Sequence, residues 1–265
     1  MAIRVSFFNT ISYTLGFFAK TLRGVGHFIL RGQASYKILV MQILFTFVEA
    51  MSITSLLALG IGAAVQVIGM PYLALISQES LIYPLLITII TRELGPLLAA
   101  FIIIARSATA IATEMAGMVI SHEIEAYISI GVDPIDHVAV PRFLGVTISM
   151  FLLNIYFTIL GLGGSFVVVQ FFNPIPASVY FDNILSVLTI ADLVFSIIKS
   201  ISFGIIISVV AIYSGFSVER ATTEIPVAGL KAVGKSFALC ILVDILLSAL
   251  YYLTMGRVWQ NQLSK

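Results

Sequence analysis

Residues 143–170 read FLGVTISMFLLNIYFTILGLGGSFVVVQ, with no charged side chain anywhere in the run. A bilayer core about 30 Å thick takes roughly 20 apolar residues of helix to cross. A barrel strand would be about ten residues long and would alternate in polarity. This run is too long and does not alternate, so it reads as a membrane-spanning helix. Outward from it, four further stretches of the same kind lie at about 38–70, 81–113, 193–216 and 236–256; the run itself extends to 172. The first two exceed one span, so tilt, breaks or extension into water are expected there. The expected fold is an all-α integral membrane protein with five transmembrane helices.

Composition agrees. Of 265 residues, 60% are hydrophobic and 10% charged, against about 25% charged in an ordinary soluble domain. Fourteen basic and thirteen acidic residues cannot coat a water-soluble surface of this size. A soluble enzyme, a disordered chain and a basic nucleic-acid binder are excluded together. The single cysteine, Cys240, rules out an intrachain disulfide and lies in an apolar run. His27, His122 and His137 are too scattered for a metal site, and no catalytic constellation or cofactor motif is present.

Lysine and arginine set the expected orientation. Arg4, Lys20, Arg23, Arg31 and Lys37 precede the first span. Arg106 and Arg142 belong to the second connection, and Arg220, Lys231 and Lys235 to the fourth. The connections at 71–80 and 171–192 hold none, and the tail holds only Arg257 and Lys265. This predicts a cytoplasmic N-terminus and, after five spans, a C-terminus outside. Near the N-terminus, Phe7, Ile11, Leu15, Phe18, Leu22, Val25 and Ile29 recur at intervals of three or four. They share one helical arc, with Lys20, Arg23, His27 and Arg31 opposite. Residues 1–37 therefore read as an amphipathic helix lying in the cytoplasmic interface, in front of a five-span domain at 38–265. A first transmembrane helix is the alternative, and the basic stripe argues against it.

Small residues cluster in the spans: Gly60, Gly62 and Gly69, then Gly161, Gly163 and Gly164, and a stripe of Ala105, Ala108, Ala112 and Ala116. In lipid such residues let helices approach closely. Residues 229–236, GLKAVGKS, satisfy the phosphate-loop pattern G-x-x-x-x-G-K-[ST] letter for letter. That loop works only between a buried strand and a helix, with a second strand supplying a metal-binding Asp. Here a transmembrane run follows at once, so nucleotide binding is rejected. Gly229 and Gly234 are read as loop and helix-start residues, and Lys231 and Lys235 as cytoplasmic anchors.

The connection at 114–142 is polar. Ser121 can cap a short helix whose early Glu123 suits the positive end of the dipole, and Gly131 can end it in the left-handed conformation. Asp133 and Pro134 then look like a fresh helix start. A short helix over about 121–131 is expected, held by a sharp turn at each end.

Arg92, Glu93, Lys199, Asp244 and Glu49 fall within apolar runs. A charge at the bilayer centre costs several kcal/mol, so each is a functional candidate. Arg92 and Glu93 are adjacent and cannot satisfy each other well. Gly95 and Pro96 should kink or break the helix beside them, making a polar niche where the guanidinium could hold a phosphate. The alternative is that Arg92 pairs with Glu49 or Asp244 to hold helices together. Lys199 and Asp244 are expected to pair between the fourth and fifth spans.

A resemblance enters at these residues. Glu125-Ala126-Tyr127 followed by Gly131 resembles the coupling loop of ABC importer permeases. A closer likeness is to the MlaE/YrbE family of lipid-transport permeases. It rests on Arg92-Glu93-Leu94-Gly95-Pro96, Ala105-Arg106, Glu114, Glu123-Ile124-Glu125-Ala126, Gly131-Val132-Asp133-Pro134 and Pro141-Arg142, with Lys199-Ser200 and Asp244 further on. It covers roughly residues 40–256. Ala105 stands where that family usually has glycine, and Met118 to Glu123 departs from its usual sequence. The resemblance implies a bacterial inner-membrane permease subunit of an ABC transporter that moves phospholipids or related lipids and maintains outer-membrane lipid asymmetry. It implies a homodimer, two cytoplasmic ABC ATPase subunits and a periplasmic MCE-domain partner. It places ATPase coupling at Glu123, Glu125, Ala126, Gly131, Asp133 and Pro134. A lipid cargo also suits the composition, since 19 phenylalanines and few polar span residues would line an apolar cavity. An importer for a small solute and a non-transporting membrane scaffold are the other readings.

Overall fold

The computed structural model describes residues 33–172, 174–219 and 221–263, with Gly16 and Val25. The interfacial helix expected over 1–37 lies outside the described residues except for its last few. Among the described residues there is no strand. Five helices among the described residues are long and apolar enough to cross a membrane: α1 (Tyr36–Leu75), α2 (Glu79–Ile120), α4 (Ile135–Phe172), α6 (Ile190–Phe216) and α7 (Glu224–Thr254). Two short helices join them, α3 (Glu123–Ser129) and α5 (Ala177–Val187).

The spans run longer than the apolar runs that announce them, because flanking polar residues continue the same hydrogen-bonded ladder. Pro71 lies inside α1 and does not end it. Gly95-Pro96 does not break α2 either. The backbone widens into a π-helical segment over Ile87–Leu94 and returns to α-helix at Gly95. The wide turn tolerates the backbone hydrogen bond that Pro96, having no N–H, cannot make. Gly95 is required there, since a Cβ would collide with the Ile90 carbonyl oxygen. α7 begins at Glu224, so Gly229 and Gly234 are interior helix residues and not loop residues. The GLKAVGKS stretch is helical throughout, with no phosphate-binding turn.

The chain folds as two compact units. One comprises Glu49–Ile102, Met150–Phe203 and Leu239–Lys265. Within it α1 and α4 pack through glycine. A Cβ on Gly62 would strike the Gly161 carbonyl, and one on Gly164 would sit 2.9 Å from the Leu59 backbone. Ala58, Ile82, Leu86, Ile90 and Phe157 form the adjoining core. Helix α5, in the 171–192 connection, buries Tyr180 and Ile184 against Ile87 and Val169. Burial pushes the Tyr180 phenol above its ordinary value, opposed by its hydrogen bond with Ser165.

The other unit comprises the described residues up to Val48 with Ile103–Ser149 and Gly204–Ala238. Ala108, Ala112 and Ala116 are fully buried there, while Ala105 is exposed. Gly215 of α6 rests on the Ala112 carbonyl and the Met115 side chain, and Gly229 of α7 on Thr109 and Thr113. These contacts give the small residues their physical role, which is backbone proximity.

Candidate functional site

An ionic cluster forms inside the first unit, where α2, α6 and α7 each contribute charge. Lys199 is fully buried. Its Nζ donates to Glu93 Oε2 at 2.7 Å and to Ser248 Oγ at 2.8 Å. It also lies 2.8 Å from Asp244 Oδ1, an ion contact without hydrogen-bond geometry. The Phe195 ring lies 5.1 Å from the ammonium. Ser248 Oγ donates in turn to Glu93 Oε2 at 2.9 Å.

Arg92 anchors the other end. Its Nη1 donates to Asp192 Oδ1 at 3.2 Å and reaches Tyr251 Oη at 3.5 Å. Its Nη2 donates to Tyr252 Oη at 2.6 Å and Thr88 Oγ1 at 3.3 Å. Nε faces Glu93 Oε1 at 3.7 Å, a weak contact in keeping with their adjacency. The rings of Tyr251 and Tyr252 lie 4.8 Å and 4.9 Å from the guanidinium carbon, giving cation–π attraction besides. Tyr251 also donates to Asp192 Oδ1 at 2.8 Å.

Asp192 is fixed by its own helix start. Its Oδ2 accepts from Thr189 N at 3.1 Å, and Thr189 Oγ1 accepts from Asp192 N at 3.2 Å. This is a reciprocal capping box, so the Arg92 partner is built into the first turn of α6. The sequence allowed Glu49 or Asp244 as partner of Arg92; Asp192 holds that place. The Thr189-x-x-Asp192 spacing was the available signal, masked because 171–192 reads as a connection. Tyr251, Tyr252 and Ser248 carried none, being ordinary residues near a span end. Glu49 is exposed. Two cations meet three carboxylates here, which makes the group acidic if all are ionised.

The other unit holds the connecting helix. Arg142 is buried and grips Glu114 with two nitrogens, Nη2 to Oε1 at 2.5 Å and Nε to Oε2 at 3.2 Å, while Nη1 donates to the Val138 carbonyl at 2.9 Å. This bidentate clamp fixes the end of α2 against the start of α4 and frames α3 between them. Helix α3 is shorter than expected, and Ser121 does not cap it. The capping position falls to His122 in the left-handed conformation, φ 61°, and Ser121 Oγ instead donates to Glu123 at 3.0 Å. His122 Nδ1 lies 2.9 Å from Glu125 Oε2. Gly131 takes φ 78° and closes the helix with its N–H on the Ile128 carbonyl. Asp133 Oδ1 accepts from Ile135 N at 2.9 Å, and Pro134 precedes the first turn of α4. Glu123, Glu125, Ala126, Ile128 and Ile130 are all exposed.

Comparison with known proteins decides what kind of membrane protein this is. The family described as "Permease MlaE" matches residues 39–250. The chain belongs to the MlaE permease family. A probable ABC transporter permease protein of Rickettsia prowazekii is 26% identical over 215 residues, covering 81% of this chain and 83% of that protein. The intermembrane phospholipid transport system permease protein MlaE of Haemophilus influenzae is 27% identical over 218 residues, 82% of this chain and 84% of its own length. The chloroplast protein trigalactosyldiacylglycerol 1 of Arabidopsis thaliana is 25% identical over 171 residues, 64% of this chain and 49% of its own. The ionic cluster and the framed α3 thus lie within a multi-pass ABC permease.

Proposed function

We propose that this MlaE-family permease is the membrane subunit of an ABC transporter that moves phospholipids or related lipids between the inner membrane and a periplasmic MCE-domain partner, and so maintains outer-membrane lipid asymmetry. It acts as a homodimer with two cytoplasmic ABC ATPases, which supply the hydrolysis. Its N-terminus is cytoplasmic and its C-terminus periplasmic. What carries the reading is the Arg92 niche: a half-buried guanidinium within a membrane span, beside the Gly95-Pro96 turn. Four of its N–H directions are spoken for, yet Tyr252 is half exposed. A lipid phosphate enters by taking the place of the Tyr252 hydroxyl on Nη2, with acyl chains along the apolar span. Lys199, Glu93 and Asp244 tie α2, α6 and α7 together before a lipid enters. Helix α3 is the lever: its acids and exposed isoleucines meet the ATPase, and the Arg142–Glu114 clamp passes movement to α2 and α4.

The experiment is purification in nanodiscs from the native operon context, with mass spectrometry of bound subunits and lipids together. The expected result is two ATPase copies, two permease copies, an MCE-domain protein and phospholipid. A complex that lacks phospholipid and hydrolyses ATP only with a small solute would overturn the lipid assignment.

A further inference from the structure

Within the unit of Glu49–Ile102, Met150–Phe203 and Leu239–Lys265, a cavity of about 280 Å³ opens between α1 and α4. It is lined by Gln66, Met70 and Pro71 of α1, Val168 and Phe172 of α4, and Glu79, among others. It shares no residue with the ionic cluster. Its walls are largely apolar, and one buried acceptor among its polar groups is unmet. Gln66 is 6% exposed, and its Oε1 is buried with no hydrogen-bond partner. Pro71, having no N–H, cannot donate to the carbonyl of Val67, four residues earlier and itself part of the lining. Glu79 adds an exposed carboxylate. Among the described residues no lysine or arginine lines the cavity, and the connections at 71–80 and 171–192 contain neither.

A buried acceptor left unmet costs free energy, so an apolar cavity with orphan acceptors fits a molecule bringing a donor. The nearby carboxylate favours a charged donor. We propose that this cavity is a binding site for an amphiphile carrying a primary ammonium on an apolar chain, with the ammonium on Gln66 Oε1 and near Glu79 and the chain along Met70, Val168 and Phe172. An anionic headgroup is disfavoured, because nothing in the lining donates to it at full charge. This goes beyond the transport reading and is independent of it.

The test uses the full chain in nanodiscs of phosphatidylcholine and a diazirine-bearing dodecylamine, with adducts mapped by peptide mass spectrometry. Adducts are expected at residues 66–74 and 168–175. Unlabelled dodecylamine and phosphatidylethanolamine added to the disc serve as competing sources of the ammonium, and whichever displaces the label identifies the natural source. Dodecanol and dodecyl phosphate should compete at least about tenfold less well, since a hydrogen bond to a charged group is worth roughly that factor or more. Gln66→Leu, which keeps the bulk and removes the acceptor, should cut labelling about tenfold per folded protein. Met70→Trp, which fills the cavity from its apolar side, should abolish it and decides the matter if Gln66→Leu does not fold. Equal competition by all three dodecyl compounds, or undiminished labelling in the folded variants, overturns the proposal. Loss of phospholipid transport in Arg92 variants with labelling intact would leave this site standing, and the reverse result would leave transport standing.

Discussion

Removing the Lys199 ammonium should cost far more than removing it together with its acids. The Nζ lies 2.7 Å from Glu93 and 2.8 Å from Asp244. At an effective dielectric of about 20, each contact is worth about 6 kcal/mol of attraction. Desolvation of the three ions takes back several kcal/mol apiece, which is why such clusters are close to neutral overall. Lys199→Met keeps the stem and deletes the charge. Two carboxylates then face each other, with the Ser248 hydroxyl as the main remaining donor near Glu93 Oε2. Breaking a buried pair in this way costs about 3–5 kcal/mol. Adding Glu93→Gln and Asp244→Asn removes the stranded charges and should recover more than half of that loss. The assay is reversible unfolding in mixed micelles by increasing dodecyl sulfate, followed by far-ultraviolet circular dichroism. A Lys199→Met variant within about 1 kcal/mol of the parent, or a triple variant no more stable than the single, would refute the reasoning.

Three other outcomes follow from separate features. Gly131→Pro cannot adopt φ 78° and removes the N–H that closes α3, while Glu125→Lys reverses an exposed charge; both should let ATP hydrolysis continue without lipid movement in a reconstituted complex, and normal coupling in both sinks α3 as the lever. Arg92→Ala should lower phospholipid per mole of folded permease and Arg92→Lys should retain part of it, since charge stays and the fork is lost; an unchanged ratio in both retires the headgroup role. Gly62→Val should destabilise the α1–α4 contact by about 1–3 kcal/mol or more, whereas Gly60→Val, with open space around its Cβ, should stay close to the parent in the same unfolding assay.

The fold was legible because a span announces itself by length and apolarity alone, which needs no tertiary information. Residues 143–170 show this: their helix could be drawn without knowing what they touch. Its ends could not, because Ile135–Ala139 and the first turns of α7 are held by contacts with other helices and not by their own apolarity. The same limit governs the site. Lys199, Glu93 and Asp244 stood out because charge is rare in lipid, and proximity of α2, α6 and α7 brought them together. Asp192 did not stand out, because at the edge of a connection an acid is ordinary; only a fold that turns α6 inward at Thr189 makes it the counter-ion of Arg92. Arg142 is the converse case. It counts as a cytoplasmic charge in the sequence, yet the structure buries it against Glu114.

The balance of charge around Arg92 constrains how a lipid could be taken up. With Asp192 on Nη1 and Glu93 near Nε, the guanidinium is already neutralised, and the surrounding group has one more carboxylate than cation. A phosphate added to that arrangement would meet net repulsion. Uptake therefore requires the Arg92–Asp192 contact to loosen, and since Asp192 is locked into the first turn of α6, loosening it means moving α6 away from α2. On the proposed lipid role, headgroup binding and helix separation become one event, as release of cargo on helix closure would require. Asp192→Asn keeps the shape and the capping oxygen while removing the competing charge. It should raise resting phospholipid occupancy about tenfold, if an exchanged ion pair at this depth is worth about 1.4 kcal/mol or more, and should make ATP less effective at emptying the site. Occupancy is read by quantitative lipid mass spectrometry on the folded permease before and after ATP. A variant that holds no more lipid than the parent, and releases it as readily, would show that Asp192 serves only to pin Arg92 and does not compete with the cargo.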